Sequence, residues 1–171
     1  MPIELMKKLE GIKYIAYDCT ANKRTIGIGF NMESYGAKKV WDKLQIPEDF
    51  DKVFNKEQEL SEESAIKLFN KTWKWCEKKA TQRADKLGLH YTSMPDFKRF
   101  ILADIVYNTG SISKWRKVLL NKGPRDVLFE ARRNPKEILD GRVAKIGYHF
   151  GIVKDLEDAH NLGLEYAKYL V

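Results

Sequence analysis

The chain has 171 residues, 43% of them apolar and 32% charged, which is the length of one ordinary globular domain and the composition of a packed chain, not a disordered one. A formal charge of +7 favours anionic partners, whether nucleic acid, an acidic membrane surface or the acidic polymers of a bacterial wall, without choosing among them. Two cysteines are too few for a disulfide framework, and the sequence holds neither 18 consecutive apolar residues to span a membrane nor the pattern of a secretory signal at its start.

Ile3, Met6 and Leu9 form one apolar stripe, which predicts a first helix stopped by Gly11. Residues 12–17 are rich in aromatic and β-branched side chains and read as a strand. After a polar break over 18–24, residues 25–30 read as a second strand, giving a hairpin, and nothing beyond residue 31 reads as another. Ser61-Glu62-Glu63-Ser64 has the form of an N-cap with acids in the first turn. Ala65, Leu68, Phe69, Trp73 and Cys76 follow at helical spacing, which predicts a helix over 61–87, about 35–40 Å long.

Residues 93–108 carry Phe97, Phe100, Ile101, Ile105 and Tyr107, apolar nearly all round, and predict a buried central helix. Further helices are expected over 113–121, 124–133, 135–147 and 155–169, separated by Gly123-Pro124, Asn134-Pro135 and Gly151. The fold class is therefore α+β, with a small N-terminal lobe carrying the hairpin and a helical lobe after it.

The densest polar chemistry lies between residues 10 and 25. Glu10 closes the first helix, Asp18 and Cys19 end the first strand, and Thr25 begins the second. If the helix and hairpin pack together, these side chains face one cleft. A carboxyl at a helix end beside an apolar strand is a candidate proton donor, and a proton-accepting group opposite it would complete a glycosidase pair. On spacing alone, Glu10 and Asp18 read equally as ordinary surface carboxylates.

The pattern Glu10, eight residues, Cys19, five residues, Thr25, then Ile26-Gly27-Ile28-Gly29 resembles the bacteriophage lysozyme family, the endolysin muramidases of glycoside hydrolase family 24. Asp104-Ile105-Val106-Tyr107-Asn108-Thr109-Gly110 is similar to that family's central aromatic-Asn-x-Gly stretch, and Gly141-Arg142-Val143 to the place of an arginine near the catalytic glutamate. The resemblance implies a single lysozyme-like domain over 1–171. Its N-terminal lobe would span about 12–60 and a joining helix about 61–87. The helical lobe would span about 88–171, together with the N-terminal helix 1–11.

The resemblance further implies cleavage of the β-1,4 bond between N-acetylmuramic acid and N-acetylglucosamine in peptidoglycan, by an inverting, single-displacement route. Glu10 would be the general acid, Thr25 would position the water, and Cys19 would stand where an aspartate is usual. Asp18 is the alternative to Cys19, although adjacent strand positions point to opposite faces. A free thiol has a pKa near 8.5, so Cys19 needs help to ionise at neutral pH. Asn31, Tyr107 and Asn108 map to glycan-binding positions. Arg142 would support Glu10 by pairing with it. Phe30 stands where a histidine is common, and either packs in the core or stacks on sugar.

No cofactor or metal is implied, and His90, His149 and His160 lack ligand spacing. Trp73 and Trp75, two apart on a helix, diverge, so one is expected in the core and one in solvent, and Cys76 reads as inert filler. The expected partner is peptidoglycan, with no nucleic acid, no stable membrane insertion and a monomeric state. The chain would be made in the host cytoplasm without a signal peptide and reach the wall through a membrane pore. Two rival readings stay open: an inactive lysozyme-like fold that binds glycan or a wall protein, and a basic nucleic-acid-binding domain.

Overall fold

A computed structural model of the chain describes residues 2–112, 116–120, 123–131, 138–155 and 157–158. Among them are eight α-helices and one three-stranded antiparallel sheet, an α+β architecture that is mostly helical. The chain divides into two compact units, with the boundary between Lys74 and Trp75.

The first unit begins with α1 (Pro2–Glu10), whose Ile3, Leu5 and Met6 are buried. The sheet follows, in the order β1 (Lys13–Asp18), β2 (Arg24–Gly27), β3 (Phe30–Asn31). The single strand expected over 25–30 is thus two strands and a turn. Gly27 at φ 65° and Gly29 at φ 79° take conformations that L side chains avoid, and this lets the chain double back. Gly27 is also required by packing, since a Cβ there would lie 3.2 Å from Ala65 Cβ. Two helices that the sequence pattern did not mark individually come next, α2 (Ala37–Lys43) and α3 (Phe50–Phe54).

The core of this unit gathers Ala16, Ile26, Phe30, Trp41, Val53, Leu60 and Leu68 with their neighbours. Trp41 anchors it. Its ring meets Phe50 edge-on at 5.3 Å and its indole N–H donates to Glu48 O at 2.7 Å, so the polar edge of a buried ring is satisfied. The long helix α4 (Glu62–Asp85) starts where its capping residues predict, with the Ser64 amide donating to Ser61 Oγ at 3.3 Å.

The second unit takes the end of α4, a 3₁₀ turn at Tyr91–Ser93, then α5 (Asp96–Thr109), α6 (Arg116–Leu120), α7 (Pro124–Ala131) and α8 (Ile138–His149). Helix α5 starts three residues later than expected, because Pro95 holds Met94 in an extended conformation (ψ 150°). Residues 100–106 are all buried, so the all-round apolar pattern does mark a central helix. Helix α7 begins at Pro124 as expected and α8 runs to His149, two residues past its expected end, while the other expected bounds of α6, α7 and α8 and almost all of the helix expected over 155–169 lie outside the described residues. On α4, Trp73 is 4% exposed and Trp75 45%, the divergence that their spacing predicts.

Candidate active site

Glu10 is the last residue of α1. Gly11 leaves the helix at φ 70° and donates its amide to Lys7 O at 2.9 Å, an αL stop that turns the chain directly into β1. At the far end of β1 the five residues 19–23 make the hairpin turn. Asn22 N donates to Cys19 O at 2.7 Å and Cys19 N to Lys23 O at 3.0 Å, with Asn22 at φ 57°, a conformation asparagine tolerates. Cys19 therefore sits at the mouth of a tight turn.

Strand register sorts the remaining residues by face. Tyr17 pairs with Thr25 and Thr25 with Asn31, a row across all three strands. Asp18 pairs with Arg24, and Ile26 with Phe30. Because successive side chains alternate, Tyr17, Thr25 and Asn31 share one face, while Asp18, Arg24, Ile26 and Phe30 share the other. Asp18 is held on its face by Arg24, whose Nε lies 3.0 Å from Asp18 Oδ1, and by Lys56 at 3.7 Å. Phe30 is buried in the core with its ring 6.5 Å from Trp41, so of its two expected roles the structure gives it packing.

Cys19 is partly exposed and its environment is unequal for its two protonation states. Partial burial raises the thiol, but hydrogen bonds from the Lys23 amide, the Thr25 hydroxyl and the Ala21 amide outweigh it and hold Cys19 below the usual thiol value. Thr25 is 5% exposed and donates its hydroxyl to Lys23 O at 2.9 Å, so its position is fixed from behind.

Tyr17 joins these groups. Its phenol is raised first by burial, then by the charges of Glu10 and Cys19, which places both within electrostatic reach of one ring. Strand register sets Thr25 beside Tyr17, and the Tyr17 phenol feels the charges of Glu10 and Cys19. The chemistry on offer is a carboxyl, a thiol inclined to ionise, and a hydroxyl held by the Lys23 carbonyl. Asn31 ends the same row; its side-chain oxygen accepts from the Glu33 amide at 2.9 Å, and its NH₂ is the group that carries donors.

The other predicted residues belong to the second unit. Tyr107 is half-buried and Asn108 exposed near the end of α5, where Asn108 Nδ2 donates to Asp104 O at 2.8 Å. Arg142 on α8 pairs with Asp104, its Nε at 2.8 Å and 2.9 Å from the two carboxylate oxygens and its Nη2 at 2.8 Å from Oδ1. Within its own unit, then, the partner of Arg142 is Asp104. Among the described residues no group of three or more His, Cys, Asp or Glu side chains is placed to hold a metal ion, and no helix is long and apolar enough to cross a membrane.

Sequence reasoning passed over Tyr17 and Asp104. The first was legible from strand parity, being two residues before Cys19 on an extended chain. The second was legible from cost, since a carboxylate inside an all-round apolar helix requires a buried cation. No protein-family model matches the chain, and no curated protein matches it.

Proposed function

We propose that the chain is a peptidoglycan N-acetylmuramidase with a lysozyme-like fold, cleaving the β-1,4 bond between N-acetylmuramic acid and N-acetylglucosamine with inversion. The observation that supports this reading is the row Tyr17, Thr25 and Asn31 on one sheet face, with Cys19, held below the usual thiol value, at the turn that follows Tyr17. The Glu10-x₈-Cys19-x₅-Thr25 pattern and the α+β architecture support it.

In this reaction Glu10 donates its proton to the glycosidic oxygen as the bond to the leaving sugar breaks. Cys19, as thiolate, takes a proton from a water that attacks the anomeric carbon from the opposite face, and the sulfur is left as thiol. Solvent returns Glu10 to its acid form and takes the proton from Cys19. Thr25 is too buried to hold that water directly, so its part is to hold and ionise Cys19. Asn31 extends the same face and offers donors to a sugar. The charge of +7 draws the protein to an anionic wall, which it reaches through a membrane pore.

The test is the clearing of outer-membrane-permeabilised Gram-negative cells together with release of reducing ends. Wild type clears and releases ends, and Glu10→Gln, which cannot donate the proton, loses about 10²–10⁴-fold. Binding to walls without new reducing ends would overturn hydrolysis in favour of an inactive glycan-binding fold.

A further inference from the structure

The second unit contains a cavity of about 280 Å³ between the last turns of α4 and residues 110–112, which follow α5. Lys79, Gln82 and Arg83 line it from one face of α4, and Lys86 from the turn that follows the helix. Three cations thus line the cavity. Among the described residues none of its lining side chains is acidic.

Cations are favoured near a helix C-terminus, and that would explain exposed lysines at Lys79 and Lys86. It does not explain Arg83. The Nε of Arg83 is buried and has no hydrogen-bond partner, a costly state for a donor in a charged group. Arg24 Nε, the other guanidinium nitrogen so placed, has Asp18 Oδ1 at 3.0 Å. Among the described residues no carboxylate is paired with Arg83. A half-buried guanidinium that lines a cavity between two more cations is an arrangement an oxyanion completes.

We propose that this cavity binds a tetrahedral oxyanion of the phosphate class, with Arg83 as the central donor and Lys79 and Lys86 as flanking charges. A carboxylate presents two oxygens in a plane, which one guanidinium satisfies. Donors arriving from three lining side chains instead suit oxygens spread around a tetrahedral centre.

The test is a titration of the full chain with inorganic phosphate, following the Arg83 Nε–Hε resonance by NMR, with sodium chloride at matched ionic strength and sodium acetate as separate arms. Phosphate is expected to shift that resonance saturably where chloride does not, and to bind more tightly than acetate. Arg83→Gln should weaken binding about tenfold or more, and Arg83→Lys, which keeps the charge without the planar fork, should also weaken it. Phosphate should raise the Tm of wild type more than that of either variant, which shows in the same experiment that the variants are folded. A glycerol phosphate arm identifies the source: tighter binding than inorganic phosphate indicates an ester, weaker binding a free ion. A chloride response equal to that of phosphate, acetate binding as tightly, or unchanged affinity in Arg83→Gln would overturn the proposal. None of these readouts involves Glu10 or wall hydrolysis, so the two proposals fail separately.

Discussion

Cys19 N donates to Lys23 O at 3.0 Å at the turn end of the β1–β2 hairpin, and Lys23 O also accepts the Thr25 hydroxyl at 2.9 Å, so one carbonyl ties both residues. A threonine hydroxyl has one hydrogen, and Thr25 gives it to Lys23 O at 2.9 Å. While Cys19 is a thiol, its S–H can serve Thr25 Oγ1. Once ionised, the sulfur is the better acceptor and draws the hydroxyl hydrogen from the carbonyl. The backbone amides of Lys23 and Ala21 favour the same ionised form. A residue that lacks a carboxylate thereby gains part of the proton-accepting capacity an aspartate would bring.

The first prediction concerns reactivity. Cys19 should be alkylated by iodoacetamide with a pH midpoint below the ordinary thiol value of 9.0, because hydrogen bonds to the thiolate outweigh its desolvation. Thr25→Val should move the midpoint upward and Thr25→Ser should restore it. Cys76 should not react in the native protein, since burial pushes its thiol up to about 12. Mass spectrometry should therefore count one label on the folded chain and two in denaturant. An unchanged midpoint in Thr25→Val would remove Thr25 from the account of Cys19.

The second prediction separates two sequence neighbours. Asp18 and Cys19 differ by one position, and Asp18 is paired with Arg24 and Lys56 on the opposite sheet face from Tyr17 and Thr25. Asp18→Asn should keep wall hydrolysis near wild type. Its stability cost should stay within about 1 kcal/mol, because the Asp18 side chain is 46% exposed and the pair is screened. Cys19→Ser should lose most activity, since a hydroxyl does not ionise near neutral pH, whereas Cys19→Asp should be tolerated. Turnover assays on the three variants decide it. A damaging Asp18→Asn would put the second catalytic group on the wrong residue.

How much was legible in the sequence follows physical range. Helix α5 declared itself because burial on every side leaves an apolar residue at nearly every position over 100–106. The capped start of α4 was legible because capping is local chemistry between Ser61 and Ser64. Strand β3 was missed because two residues carry no period, and the turn before it depends on backbone angles at Gly27 and Gly29, which a run of apolar letters conceals. Strand parity made the opposition of Asp18 and Cys19 readable in advance. The buried partnership of Asp104 and Arg142 was not, because 38 residues separate them and only the packing of α5 with α8 joins them. The buried Nε of Arg83 was hidden for the same reason, since a lysine- and arginine-rich helix end looks like solvated surface.

The third prediction tests that buried pair. Asp104 is 1% exposed and accepts from Arg142 through both oxygens, with Asn108 Nδ2 at 3.3 Å as well. Asp104→Ala strands a guanidinium in the interior and should cost about 3–5 kcal/mol. The double variant Asp104→Leu with Arg142→Met removes both charges together and should recover most of that loss. Urea unfolding of the two variants and wild type measures it. Equal loss in the single and double variants would mean that the cost lies in packing and not in the unpaired charge.

The fourth prediction concerns acid stability. Glu48 is 9% exposed, and its carboxylate accepts from the Ser61 amide at 2.8 Å and the Ser64 hydroxyl at 2.7 Å, tying the loop before α3 to the first turn of α4. Burial raises this carboxyl, yet the hydrogen bonds from Ser61 and Ser64 prevail and hold it below its ordinary 4.5. A carboxyl depressed in the folded state binds fewer protons there than in the unfolded chain. Its contribution is therefore fully present above 4.5 and is lost as pH falls through the lower folded value. Glu48→Gln keeps one acceptor oxygen but loses the charge-assisted bonds, and should cost about 1 kcal/mol at neutral pH. The gap in Tm between wild type and Glu48→Gln should be flat from pH 8 to about pH 5 and narrow below pH 4.5. A gap that stayed constant down to pH 3 would mean that the carboxylate charge contributes nothing to holding α4 in place.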